Sequence, residues 1–333
     1  MLQKFFVLVC IVSLRFSTLL PEPYSLIIDH DDGIDDVISV TLQLLNDAER
    51  VKAITVAPAD CYPKPAAFVM THVKELFLTR GKEIPVGISS DEGVNPFPDF
   101  WRDDAWGLAR MSLWHDEKAL EAFSLNNVQS SLDVLSQVLA ESQSQLDILE
   151  TGPCTNLAEI FLAHPEFKTK IHRIYIMGGA LYVKGNVEKE GHDGSAEWNI
   201  YNNPQAFLDT LRTGIPITLV SLDATQYTPI RQQFMVELEK HVPSKSYQLV
   251  YESLNLIKSL IECGQYMFWD TLTSTVSINQ NIVKTKKVKI NVILDGPSMG
   301  RTIEDENGYE VDVAIWANQE LFENTVLDIL AKG

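Results

Sequence analysis

Several things are missing from this sequence. Cysteine is scarce, with 4 in 333 residues, and no two form a Cys-x-x-Cys pair. Neither a zinc cage nor a disulfide framework is indicated. Cys61, Cys154 and Cys263, an odd and widely spaced set, read as buried free thiols. No block rich in Lys and Arg stands out, and 27 basic against 45 acidic residues leave a formal charge of −18. Phosphate binding needs a basic face, so a nucleic-acid partner is not expected. There is no Asn-x-Ser/Thr acceptor, no internal repeat and no low-complexity tract.

A membrane span is missing as well. The apolar stretch Phe5–Leu14, between Lys4 and Arg15, is far short of the roughly 20 residues a spanning helix needs. Its flanks resemble a secretory signal peptide. Residues 1–20 are therefore expected to be a leader and 21–333 one domain, secreted and without a membrane partner. A buried N-terminal segment of a cytoplasmic protein is the alternative.

What is present is an ordinary globular composition, 45% hydrophobic and 22% charged, in a chain long enough for a large core. Strand-like apolar runs alternate with helix-length segments. Ser25–Ile28 leads into Ile34–Leu45, and Val51–Ala57 into Ala66–Leu78 after a turn at Pro58–Pro65. Leu146–Leu149 leads into Asn156–Ala163, Arg173–Met177 into Gly178-Gly179, and Ile217–Leu222 into Asp223. Such alternation predicts an α/β domain with a mostly parallel central sheet flanked by helices. Lys286–Leu294 and Val311–Trp316 read as a small hairpin added at one edge. Asp91–Asn127 reads as a long loop of weak periodicity, a kind more often functional than idle. Polar or glycine residues follow nearly every strand, and open α/β sheets bind ligands at those carboxyl ends.

The densest of these positions is Ser25–Ser39, "SLIIDHDDGIDDVIS", with five aspartates in eight residues. Strand alternation would aim Asp29 and Asp31 the same way, Gly33 would allow a tight turn, and Asp35 and Asp36 would open a helix. The helix dipole favours each of the latter by only about 0.3–1 kcal/mol. A carboxylate pair a few ångströms apart costs about 4 kcal/mol at an effective dielectric of 20. A hard cation resolves the conflict, and Ca²⁺, with six to eight oxygen ligands and loose geometry, suits it better than Mg²⁺. A helix–loop–helix calcium loop does not fit, because Gly33 sits where a third acidic ligand is needed. A phosphatase with an Asp nucleophile remains open, as does a merely solvated acidic loop.

"DHDDGIDD" resembles the Asp-x-Asp-x-Gly-x-Asp-Asp signature of the nucleoside hydrolases, and five further segments agree in order and spacing. They are "ADCY" (59–62), "NPFPDFWR" (95–102), "TGPCTNLA" (151–158), "MGGALYVKGNV" (177–187) with "DGSAEWNIYNNP" (193–204), and "YMFWDTLT" (266–273). The set is closest to the purine-specific branch of the inosine-uridine-preferring superfamily. The resemblance implies a Rossmann-like fold, a homodimer, and calcium-dependent cleavage of purine ribonucleosides to base and ribose. It places Ca²⁺ on Asp31, Asp36, the Thr151 carbonyl and Asp270, with Asp31 as base for a calcium-bound water and Asp29 orienting the cluster from behind. Asp35, Asn186, Glu197 and Asn199 match ribose-binding positions.

The less selective branch carries a His proton donor just before the last Asp ligand, where this chain has Trp269. With Trp101 it would sandwich a purine, stacking best on a protonated base. Asp60 is expected near the base, and Tyr266 over it. Gly178-Gly179 reads as a tight turn, Asp223 as a cap, and His30 and His192 as solvent-facing or supporting residues. Asp32 stands where many relatives carry Pro, so it either tunes calcium affinity or faces solvent. A calcium-dependent nucleoside-binding protein of weak activity is the rival reading.

Overall fold

The structure is a computed structural model, and it describes residues 23–78 and 81–333. The expected leader, residues 1–20, lies outside the described residues. Nine strands form one sheet: β1 Ser25–His30, β2 Val51–Val56, β3 Val86–Ile88, β4 Leu146–Glu150, β5 Ile171–Met177, β6 Ile217–Val220, β7 Val283–Val292, β8 Thr302–Glu304 and β9 Tyr309–Ala317. Their spatial order is β3-β2-β1-β4-β5-β6-β9-β7-β8. From β3 to β9 every pairing is parallel, whereas β7 runs antiparallel to both β9 and β8. This is the mostly parallel α/β sheet that the alternation predicts.

Both faces of the sheet are covered, and the central strands show it residue by residue. Leu26 and Ile28 of β1 enter one apolar core, and Ile27 enters the other. The helices Ile34–Asp47, Pro63–Phe77, Lys245–Leu256, Asp270–Ile278 and Gln319–Leu330 pack on the first face. Ser131–Glu141, Thr155–Ala163 and Pro204–Arg212 pack on the second. Burial on both sides explains why β1 and β4 read as unbroken apolar runs rather than alternating ones.

The sequence-based expectations need several corrections. Helix Pro63–Phe77 begins three residues earlier than its apolar periodicity indicates, because Pro is at home in a first helical turn. Strand β6 stops at Val220, and Leu222 already opens the short helix Leu222–Thr225. The expected hairpin is a three-strand edge whose β9 also joins β6 in parallel. Asp91–Asn127 is not one long loop, since it carries the short helices Asp99–Arg102, Asp104–Leu108 and Glu117–Ala122. Cys61 and Cys154 are buried free thiols, but Cys263 is exposed.

One helix contact matters most for the site. Gln43, in Ile34–Asp47, donates to the Ser274 carbonyl at 2.9 Å and to the Ser274 and Ser277 hydroxyls at 3.0 and 2.9 Å. These bonds lock Asp270–Ile278 alongside Ile34–Asp47, and the two helices start at the same end of the sheet. Asp35 and Asp36 in one first turn and Asp270 in the other are thereby brought together. Helix N-termini favour negative charge, so the fold gathers its acids where the backbone best tolerates them.

Candidate active site

Strands β1, β4 and β5 end at His30, Glu150 and Met177, and the residues just beyond them border a cavity of about 510 Å³. Asp31, Asp35, Asp60, Trp101, Thr151, Asn186, Glu197, Asn199, Tyr266, Trp269 and Asp270, eleven of the thirteen residues singled out from sequence, line it. Asp29 and Asp36 do not. Both are fully buried beneath it.

Asp29 follows Ile27 on the second face of the sheet, where its Oδ1 accepts from Thr55 Oγ1 at 2.6 Å and Asn156 Nδ2 at 2.8 Å. Burial nevertheless pushes its carboxyl up to about 6. The strand ends before Asp31, so strand alternation does not aim that side chain. What turns the chain is Asp32, at φ +61°, and not Gly33, whose φ of −65° suits any residue. Asp and Asn are among the few side chains that visit this region. Gly33 is needed for space instead, because a Cβ there would stand 3.0 Å from Asp60 Oδ2 and 3.4 Å from Asp36 Oδ2.

Asp36 is held on both oxygens. The Gly33 N–H donates to Oδ2 at 2.9 Å and the Thr151 hydroxyl to Oδ1 at 2.5 Å. Asp35 accepts from the Tyr266 hydroxyl at 3.1 Å and the Asp270 N–H at 2.8 Å. The Thr151 carbonyl accepts from Asn199 Nδ2 at 2.9 Å. Glu197 caps the short helix Trp198–Asn202 and accepts from the Asn199, Gly179 and Ile200 amides at 2.9, 3.0 and 3.2 Å. Gly178-Gly179 is thus the expected tight turn, with Gly179 at φ +78°, and its amide serves Glu197. Asn186 Oδ1 accepts from the Trp198 N–H at 3.0 Å, and the residue borders the cavity.

The electrostatics are those of a site lacking positive charge. Burial raises the carboxyls of Asp31, Asp60 and Asp270 well above the usual range, and repulsion from Asp35 and Asp36 raises them further. Burial likewise takes Asp36 up to about 7, although the bonds from Thr151 and Gly33 oppose it. Asp31 and Asp36 lie within hydrogen-bonding reach of each other, as do Asp35 and Asp270. Two carboxyls that close need a shared proton or a cation.

The donor set fits Ca²⁺. Among the described residues no three His, Cys, Asp or Glu side chains already form a cage by themselves. However, Asp31 Oδ2 and Asp270 Oδ1 are buried without any partner, and Thr151 lines the same cavity. These are hard oxygen donors with unspent lone pairs. Water and substrate hydroxyls can complete such a shell.

Asp32 corrects one expectation outright. It does not face solvent. It is completely buried, and neither carboxylate oxygen has a partner. His30 is just as buried and does not face solvent either; its Nδ1 accepts from the Asp32 N–H at 3.1 Å, and burial depresses the imidazole to about 3, leaving it neutral. His192 is partly buried and contacts the Met299 carbonyl through Nε2 at 2.9 Å, away from the cavity lining. Asp223 does not cap the next segment; it accepts from the Leu181 and Tyr182 amides at 2.9 and 2.8 Å.

The two indoles rest on separate apolar clusters. Trp101 packs with Phe97 and Trp198, its ring centroid 5.2 Å from that of Trp198. Trp269 packs on Met177, Ala180 and Leu222, with Tyr266 edge-on at 4.5 Å. Sequence reasoning missed Asp104, Glu188, Leu260 and Gln265, which also line the cavity. Asp104, three residues after Trp101, could have been found as the next turn of the same motif. Leu260 and Gln265 carry no local signal.

The family described as inosine-uridine preferring nucleoside hydrolase matches residues 26–324 of this chain. The "pyrimidine-specific ribonucleoside hydrolase RihA" of Klebsiella pneumoniae subsp. pneumoniae is 32% identical over 212 residues, 62% of this chain and 62% of that protein. RihA of Salmonella typhi is 32% identical over 211 residues, with the same coverage. The chain therefore spans just under two thirds of the length of the curated relatives it matches. The crystal structure of the inosine-uridine preferring nucleoside hydrolase from Bacillus anthracis superposes with a TM-score of 0.84 at 28% identity, covering 93% of this chain and 100% of that one. A purine-preferring ribonucleoside hydrolase from Gardnerella vaginalis shares the fold, with a TM-score of 0.74 at 22% identity over 92% of this chain and 98% of that one.

Proposed function

Because the chain belongs to the inosine-uridine preferring nucleoside hydrolase family, we propose that it cleaves the N-glycosidic bond of ribonucleosides, purine ribonucleosides before pyrimidine ones, to free base and ribose. The observation that carries this reading is the sharing of one cavity by unpartnered carboxylate oxygens, the polar set Asp35, Asn186, Glu197 and Asn199, and two indoles. Membership in this family sets the phosphatase alternative aside.

Asp31, Asp36, the Thr151 carbonyl and Asp270 would hold Ca²⁺. When bound, the ion polarises water and the sugar hydroxyls at the mouth of the sheet. Asp31 takes the proton from the attacking water. Asn186, Glu197 and Asn199 grip the ribose; Glu197 is held rigid by three backbone amides, and Asn199 also aims the Thr151 carbonyl. Asp35 joins them by position, and it also ties Tyr266 to the start of the Asp270 helix. The surrounding carboxylates favour an oxocarbenium-like sugar.

Purine preference rests on Trp101 and Trp269 flanking the base, with Asp60 beside it. The names of the curated relatives point the other way, towards pyrimidines. Initial rates of ribose release from inosine and uridine, each with and without chelator, decide the matter. Faster inosine cleavage that chelation abolishes supports the reading. Equal rates refute the purine preference, chelator-independent rates refute the calcium site, and binding without ribose release identifies a nucleoside-binding protein instead. Secretion rests on residues 1–20 alone, and N-terminal sequencing of protein recovered from the medium tests it. Light scattering in solution tests the expected homodimer.

A further inference from the structure

Asp104 is an acidic residue of the cavity wall, three positions after Trp101, that the reading above leaves without a task. It opens the short helix Asp104–Leu108, one turn beyond Trp101, and is half-buried. Among the described residues its carboxylate accepts no hydrogen bond and forms no ion pair. The nearest guanidinium, Arg102, is turned away: its Nε donates to the Cys61 carbonyl at 3.0 Å, Nη2 to Glu92 at 2.8 Å, and its Cζ lies 4.5 Å from the Tyr62 ring centroid. Close to Asp104 are Asp60, whose ionisation the Asp104 carboxylate resists, and its exposed neighbour Asp103, which resists that of Asp104. Burial, then Asp103, pushes the Asp104 carboxyl up to about 6.

A purine leaves poorly as an anion, and no His precedes Asp270 to protonate it. Indoles stack but donate no useful proton. We propose that Asp104 is the proton donor to the departing purine, an assignment that rests on the nucleosidase reading. As the C1′–N9 bond breaks, its electron pair passes to the base. N7 takes the carboxyl proton of Asp104, which is left as a carboxylate. Water adds to C1′ and gives its proton to Asp31, which releases it to solvent while solvent reprotonates Asp104. Donation of this kind contributes about 10²–10⁴-fold.

The test compares Asp104→Asn with wild type on guanosine and on 7-methylguanosine, whose N7 already carries a methyl group and needs no proton. A loss of kcat on guanosine of about 100-fold or more, with a loss several-fold smaller on 7-methylguanosine, supports the assignment. Partial recovery in Asp104→Glu strengthens it. Equal losses on the two substrates, or none on guanosine, overturn it. Asp60→Asn in parallel shows whether the partner carboxyl holds that role instead; a guanosine-selective loss there and not at Asp104 also overturns it. Wild-type protein inactive on both nucleosides points to failure of the nucleosidase reading rather than of the donor assignment.

Discussion

Removing the cation should expose the cost of packing these acids together. Asp29 and Asp36 ordinarily lose their protons near 3.8, but the fold holds them to about 6 and about 7. Between those limits the folded protein binds more protons than the unfolded chain, so cation-free stability falls as pH rises from about 4 towards 7. Every tenfold rise in a carboxyl's proton affinity on folding costs the ionised form about 1.4 kcal/mol. The two groups together approach roughly 7 kcal/mol if they titrate independently, and less where protons are shared. That is comparable to the whole stability of a domain, about 5–15 kcal/mol. A cation at a hundred times its Kd returns about 2.7 kcal/mol. At about 2–4 °C per kcal/mol for a chain of a few hundred residues, chelation at pH 7.5 should lower the melting temperature by roughly 5–10 °C. At pH 5 protons replace the ion, and chelation should matter little. Calorimetric titration of Ca²⁺ in Tris and in PIPES at pH 6.5 should show at least about one proton released per ion. Identical melting with and without chelator at both pH values, together with no proton release, would refute the reasoning.

Three further outcomes are expected. Asp31→Asn should lower kcat by about 10²–10⁴-fold while circular dichroism stays native; wild-type turnover in that variant contradicts its role as base. Trp269→Ala should lose more kcat/KM on inosine than on uridine, by up to about tenfold for a lost stacking contact of about 0.5–1.5 kcal/mol. Equal losses remove stacking as the basis of preference. Asp32→Gly relieves a left-handed non-glycine residue and deletes a buried, unpartnered carboxylate. The cation-free protein should gain about 1–2 kcal/mol at pH 7, read from its urea midpoint, and a lower midpoint counts against the burial argument.

Much of this molecule was legible in its order of residues. Apolar runs with polar stops marked out β1, β2, β4 and β5, because strands buried on both faces leave no room for alternation. The five aspartates made a cation the expectation, since no local backbone effect offsets their repulsion. Ordered motifs placed eleven of the thirteen residues singled out in one cavity wall. Tertiary structure alone decided the rest. That Asp270 meets Asp35 follows from Gln43 bonding across 231 residues to Ser274, a contact with no local signature. That Asp32 turns inward and takes the left-handed conformation, leaving Gly33 to make room, depends on where Asp60 and Asp36 lie. Packing sends Arg102 to the Cys61 carbonyl and to Glu92, and leaves Asp104 in the cavity wall without a cationic partner. Local periodicity sets which face a side chain takes, but the partners it finds there come from segments far away in the chain.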